Sequence, residues 1–122
     1  MSVLLVFLGG MIGAPLRYLT DKAVQAHHDS VFPLGTFTVN IVGSFILGSL
    51  AALVAAHALP ADILVLLGTG MCGALTTFST FSFETLRLLE DGSLAEAGLN
   101  AIGSLLVGVA AAAAGYALLT WL

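Results

Sequence analysis

Three long stretches without a charged side chain constrain this fold more than any other feature of the sequence. Residues 35–56, 63–83 and 97–122 contain no Asp, Glu, Lys or Arg. Each stretch is as long as the roughly 20 apolar residues that a helix needs to cross a membrane. A fourth stretch, 1–20, contains only Arg17, which lies close enough to its end for the side chain to reach the lipid headgroups.

The composition of the chain also indicates a membrane protein. Of its 122 residues, 59% are hydrophobic and 8% are charged, whereas a soluble domain carries about 25% charged residues. We therefore predict an all-α membrane protein, with one four-helix transmembrane domain over residues 1–122. The expected helices are about 2–22, 34–57, 62–89 and 94–122. The net charge of −4 says little about partners, but the lack of a basic patch argues against nucleic acid.

Residues 70–83 are unlike an ordinary spanning helix. Glycines at 68, 70 and 73 come first, and hydroxyl residues and phenylalanines then alternate up to residue 83. This composition weakens a helix, so we predict that the third helix is broken near Gly73–Thr77. Irregular backbone at membrane depth is tolerated only where it is buried in protein or lines a cavity. The sequence therefore predicts an ion site at the break.

Two stripes of small and polar residues recur at four-residue steps, which places each stripe on one helix face. The second helix carries Thr36, Asn40, Ser44 and Gly48, and the fourth carries Asn100, Ser104 and Gly108. An amide in hydrocarbon needs hydrogen-bond partners, and two readings remain open. The stripes either join helices to one another or form a polar track for an ion.

The residue types in the third helix suit an ion better than covalent chemistry. Phenylalanine ring edges are electropositive, and with hydroxyl donors they can solvate a small anion, although aromatic pairs at this spacing are more often packing. Backbone carbonyls of a broken helix would suit a cation. Glu84 either pairs with Arg87 or lines a vestibule. The sequence shows no Ser/His/Asp set, Cys/His cluster or membrane-depth carboxylate pair, so we expect no enzyme.

These motifs together resemble the Fluc (CrcB) fluoride channels over nearly the whole chain. The third-helix motif, 70–81 (GMCGALTTFSTF), is the most specific of four that occur in the family's order. The others are 10–18 (GMIGAPLRY), 35–48 (GTFTVNIVGSFILG) and, more loosely, 100–108 (NAIGSLLVG).

The resemblance implies a passive, fluoride-selective channel that exports fluoride from the cytoplasm across the inner (plasma) membrane. It implies an antiparallel homodimer with dual topology, two pores and a central structural sodium ion, surrounded by lipid. Sodium would be held by the backbone carbonyls of Gly73 and Thr76 from both subunits. The expected fluoride-pore residues are Phe78, Phe81, Asn40, Ser104, Thr80 and Ser79, and the expected vestibule residues are Arg17 and Glu84.

Three alternatives stay open at this point. A small multidrug exporter would have about this length, but it needs a membrane-embedded carboxylate, and the first helix has none before Asp21. A non-transporting structural partner would use the polar stripes only to join helices. A single orientation in the membrane is the alternative to dual topology, because Arg17, Lys22 and Arg87 all map to one side.

Overall fold

The computed structural model describes residues 2–27, 32–56 and 58–121, and within these ranges the chain is helical without strands. Four helical spans are long and apolar enough to cross a membrane, which confirms the predicted all-α membrane fold. The elements are α1 (Ser2–His27), α2 (Leu34–Ala55), α3 (61–75), α4 (Ser79–Glu90) and α5 (Leu94–Trp121). The third span, Ala61–Glu90, consists of α3 and α4.

The predicted helix ends are close to the observed ones, except at the end of α1. We expected a loop from residue 23, but α1 continues to His27. Two side-chain contacts, each across one turn, hold this extra length of helix. Gln25 donates to the Asp21 carboxylate, and the His27 ring contacts the Ala23 carbonyl oxygen at 2.9 Å. The expected ends of the second and fourth helices, 57 and 122, lie outside the described residues.

The third span is interrupted at residues 76–78, which confirms the predicted break. Thr76 is extended, with φ −83° and ψ 164°, and helical geometry resumes at Ser79. Gly73 lies in the last helical turn before the break rather than at its start. Before that turn, Leu64–Cys72 forms a stretch of wider π-helix, a geometry that is frequent near functional sites.

Glycines set the distances between the helices. A Cβ atom built at Gly48 would overlap the carbonyl oxygen of Ala112, and one at Gly115 would overlap that of Phe45, so α2 and α5 are in backbone contact. Gly9 and Gly13 of α1 lie in the same way against the backbone of α3. Close backbone approach through small residues is the usual packing of membrane helices.

A tight turn joins α4 to α5. Gly92 has φ +81°, a left-handed conformation that glycine adopts without steric cost. The Ser93 amide donates to the Leu88 carbonyl at 2.9 Å, which is the 6→1 bond of a helix-ending glycine motif. The turn sends α5 back beside α4, so that side chains of the two helices meet.

The outer surface of the bundle is apolar, as expected for a chain in lipid. Large hydrophobic side chains such as Phe7, Leu105 and Val109 are more than half exposed, while Asn100 is fully buried. Apolar residues outside and an amide inside reverse the usual soluble pattern. Together with the four spans, this arrangement identifies a multi-pass membrane protein.

Candidate functional site

A groove of about 710 Å³ runs along the break in the third span, between α2 and α5. It brings together six of the residues that the sequence singled out. Four are expected pore residues and two are expected sodium ligands: Asn40, Phe78, Phe81, Ser104, Gly73 and Thr76. Asn40 and Ser104, which lie 64 positions apart in the chain, thus share one surface, as a site requires.

Asn40 on α2 holds the broken backbone. Its amide nitrogen donates to the Thr77 carbonyl at 3.0 Å, and the Thr77 N–H donates to its amide oxygen at 2.7 Å. One side chain therefore satisfies both polar groups of a residue outside any helix. Interrupted backbone at membrane depth needs such partners, so the Asn40 contact is an interhelical hydrogen bond made at the site itself.

Thr77 begins the second half of the span, a role that the sequence analysis missed. Its hydroxyl oxygen accepts the Thr80 N–H at 3.2 Å and lies 3.5 Å from the Ser79 hydroxyl. A hydroxyl that accepts the N–H three residues later is an N-cap contact. The available signal was a threonine just before a helical segment, but four hydroxyl residues in 76–80 compete for that position.

Because of these contacts, two backbone carbonyls do not accept the hydrogen bonds that they would accept in a continuous helix. In an unbroken helix the Gly73 carbonyl would accept from Thr77 N–H, and the Thr76 carbonyl from Thr80 N–H. Here the first N–H donates to Asn40 and the second to the Thr77 hydroxyl. The carbonyls of Gly73 and Thr76 thus lack their helical donors, and carbonyl oxygens are the ligands that hard cations prefer. Two such carbonyls would suit a cation such as the expected sodium ion, which stays a prediction.

Phe78 and Phe81 form a pair at the edge of the groove. Their ring centroids are 5.9 Å apart and their planes are tilted by 44°. Phe78 is 79% exposed, although it lies close to the middle of a membrane span. A ring so exposed beside a polar break is available to a ligand or to a second chain.

Hydroxyl groups in the groove donate to acceptors near them in the same chain. Ser44 donates to the Asn40 carbonyl at 2.7 Å, and Thr76 donates to the Cys72 carbonyl at 2.9 Å. Ser104 donates to the Asn100 side-chain oxygen at 3.2 Å. None of the residues described as lining the groove is charged. Groups of three or more His, Cys, Asp or Glu side chains that could bind a metal are absent from residues 2–27, 32–56 and 58–121.

The other four predicted site residues do not line the groove. Ser79 and Thr80 are exposed in the first turn of α4, beside the groove wall. Arg17 is half-buried on α1. Glu84 on α4 lies near Thr36 and Asp21, and its Oε1 atom is buried without a hydrogen-bond partner among the described residues. The vestibule role of Arg17 and Glu84 stays a prediction.

Comparison with known proteins extends the sequence motifs to the whole chain. A family model described as CrcB-like protein, Camphor Resistance (CrcB), matches residues 4–116. The chain belongs to the CrcB family. This result confirms the resemblance that the four motifs indicated, and the match includes every residue of the groove.

Proteins named as fluoride-specific ion channels are similar to this chain over most of its length. A protein of Frankia casuarinae named Fluoride-specific ion channel FluC 1 is 55% identical over 123 residues, covering 97% of this chain and 95% of the relative. The Streptomyces avermitilis protein of the same name is 54% identical and covers 94% and 93%. A Shewanella halifaxensis protein named Fluoride-specific ion channel FluC is 50% identical and covers 83% and 82%.

Proposed function

We propose that this chain forms a fluoride-selective passive ion channel in the plasma membrane. The observation that carries the proposal is the uncharged groove at the broken span, where Asn40 holds open backbone beside hydroxyl groups and two phenylalanine rings. The names of its relatives in the CrcB family describe channels for the same ion. Permeation down a gradient needs no energy-coupling group, and export would follow whenever fluoride accumulates inside the cell.

The groove can replace the water that a small anion loses. The Asn40 amide has two N–H donors, of which one is used on the Thr77 carbonyl. The hydroxyls of Ser44, Thr76 and Ser104 each donate to a protein acceptor. Each could turn its hydrogen toward an anion at a net cost of about 1 kcal/mol per hydrogen bond. The electropositive ring edges of Phe78 and Phe81 would add charge stabilisation without a fixed positive charge that would trap the ion.

We further propose that the working channel is an antiparallel homodimer with two pores. The groove is open on one side, and Phe78 is largely exposed at its edge, so a single chain leaves the ion path incomplete. Each chain offers the released carbonyls of Gly73 and Thr76, and a second copy would bring the number of oxygen ligands to four. A structural sodium ion would then join the two broken spans and neutralise their carbonyl dipoles.

Fluoride efflux from liposomes tests the channel function directly. Purified protein is reconstituted into vesicles loaded with potassium fluoride or potassium chloride, and release is followed with ion-selective electrodes after addition of valinomycin. We expect rapid fluoride release and chloride release no faster than from protein-free vesicles. A folded preparation that releases neither ion, or that releases both at similar rates, would overturn the proposal.

The orientation of the chain needs a separate test. Single-cysteine tags placed at the N-terminus and, separately, at the C-terminus of a Cys72→Ser background are labelled with an impermeant maleimide in intact cells. Dual topology predicts that about half of each tag is accessible. Complete labelling of both tags, or of neither, would indicate a single orientation and exclude the antiparallel dimer.

A further inference from the structure

Asn100 is fully buried, and hydrogen bonds of its side chain link two residues of the groove that lie on different helices. Its side-chain oxygen accepts a hydrogen bond from Ser104, a groove residue, at 3.2 Å. Its amide nitrogen donates to the Thr85 hydroxyl at 2.7 Å. Thr85 in turn donates to the Phe81 carbonyl at 2.8 Å. Asn100 therefore joins Ser104 on α5 to the backbone of Phe81 on α4.

The chemistry of the groups gives this chain of hydrogen bonds a direction. The Thr85 hydroxyl has one hydrogen, which it gives to the Phe81 carbonyl, so it accepts the N–H of Asn100. The Asn100 oxygen is then left to face Ser104, which must donate. In this state the Ser104 hydrogen points to Asn100 and away from the groove. At this one position the groove offers only oxygen lone pairs, which repel an anion.

We propose that Asn100 and Thr85 are positioning residues that control whether the Ser104 hydrogen is available to an anion in the groove. If the Asn100 amide turns over, its NH₂ group donates to Ser104, and its oxygen accepts from Thr85. The Ser104 hydrogen is then free to bind the anion. The Phe81 carbonyl loses only a side-chain donor, because helical geometry still supplies the Thr85 backbone N–H.

The reversal conserves the number of hydrogen bonds once an anion is bound. Three bonds exist before it, and three exist after it when the bond from Ser104 to the anion is counted. A buried amide with no unpaired group in either state avoids the cost of an unsatisfied polar atom. Asn suits this role because its oxygen and NH₂ group have nearly the same shape. This inference rests on the proposed fluoride conduction.

Substitution of Thr85 tests the proposal without altering a groove residue. Thr85→Val removes the hydroxyl and keeps the shape, so turning the Asn100 amide no longer gives up the bond from Thr85 to the Phe81 carbonyl. Without an anion, turning costs one hydrogen bond in the wild type and none in the variant. We therefore expect the fluoride concentration that gives half-maximal efflux to fall roughly fivefold in Thr85→Val, the effect of one net hydrogen bond. Thr85→Ser restores the hydroxyl and should restore the wild-type value. Thr38→Val is the matched control, because Thr38 also donates to its own helix but has no contact with Asn100.

A double variant separates positioning from a general loss of packing. Once Ser104→Ala has removed the hydroxyl, no Ser104 hydrogen is left to release, so Thr85→Val should change efflux no further. An effect of Thr85→Val that persists in the Ser104→Ala background, a wild-type half-maximal concentration in Thr85→Val, or an equal shift in Thr38→Val would overturn the inference. If Thr85→Val does not elute as folded protein, Thr85→Ala replaces it, since alanine favours the helix. No fluoride release from the wild type would overturn the proposed function and this inference with it, whereas release with the same half-maximal fluoride concentration in wild type and variants would overturn the inference alone.

Discussion

Removal of the Asn40 amide is the sharpest test of the broken span. In an Asn40→Leu variant the side chain keeps a similar size but has no polar atom. The N–H and the carbonyl of Thr77 would both lose their partner, at distances that are now 2.7 Å and 3.0 Å. The variant therefore removes both hydrogen bonds that hold the backbone of the break.

The size of the effect follows from these two bonds. Leaving a buried backbone group without a partner costs about 1–3 kcal/mol, and Thr77 is only half-buried, so the lower figure applies to each group. The sum of about 2 kcal/mol would lower the population of the chain that keeps the interruption at residues 76–78 by a factor of roughly 30. The Thr77 N–H could instead return to the Gly73 carbonyl and extend the helix, which would also remove one of the two released carbonyls.

We therefore expect fluoride efflux from Asn40→Leu vesicles to fall about 30-fold or more, measured with a fluoride electrode at equal protein density. Ser49→Ala is the control on the same helix, because it removes a hydroxyl that donates to the Phe45 carbonyl of its own helix, and it should leave efflux unchanged. The second readout is hydrogen exchange at the Thr77 amide, which should change in Asn40→Leu alone. Efflux within twofold of wild type in a folded Asn40→Leu variant would refute the argument and return Asn40 to helix packing.

Three further perturbations address the rings, the sodium ion and the packing. Phe81→Ile should reduce fluoride efflux to the rate of empty vesicles while the protein elutes in the same position as the wild type, because an aliphatic chain has no electropositive edge; unchanged efflux would remove the rings from the mechanism. Replacement of sodium by N-methylglucamine on both sides during reconstitution should lower efflux, and readdition should restore it; equal efflux throughout would argue against a bound sodium ion. Gly48→Val should lower the free energy of unfolding by about 1–3 kcal/mol through overlap with the Ala112 backbone. Gly98→Val has open space around it and should not lower stability, because valine has a higher helix propensity than glycine; equal melting temperatures for the two variants would contradict the packing described.

The sequence predicted most of the fold because the bilayer limits the choices. Charge-free stretches of spanning length can hardly be anything but helices, and the four spans confirm this expectation. The end of α1 was wrong by five residues. That error reflects a turn held by short-range contacts of Asp21 and Gln25, whose strength depends on geometry rather than on composition.

The sequence predicted which residues form the candidate site, but it did not predict the hydrogen bonds between them. A buried amide such as Asn40 must have partners, yet the sequence cannot say that they lie on a residue 37 positions away. The hydrogen bonds that run from Ser104 through Asn100 to Thr85 were missed for the same reason. Their donors and acceptors come together only when the Gly92 turn folds α5 against α4. Periodicity places a residue on a helix face, but helix packing determines what that face meets.

The position of the break has an electrical consequence. Residues 76–78 lie near the middle of Ala61–Glu90, so an ion bound there has crossed about half of the membrane potential, worth about 1.2 kcal/mol per 100 mV for a unit charge. Voltage would then favour entry from one side as strongly as it favours exit to the other. A channel built on this site should pass current almost equally in both directions, and its voltage dependence would report the depth of the site without any change to the chain.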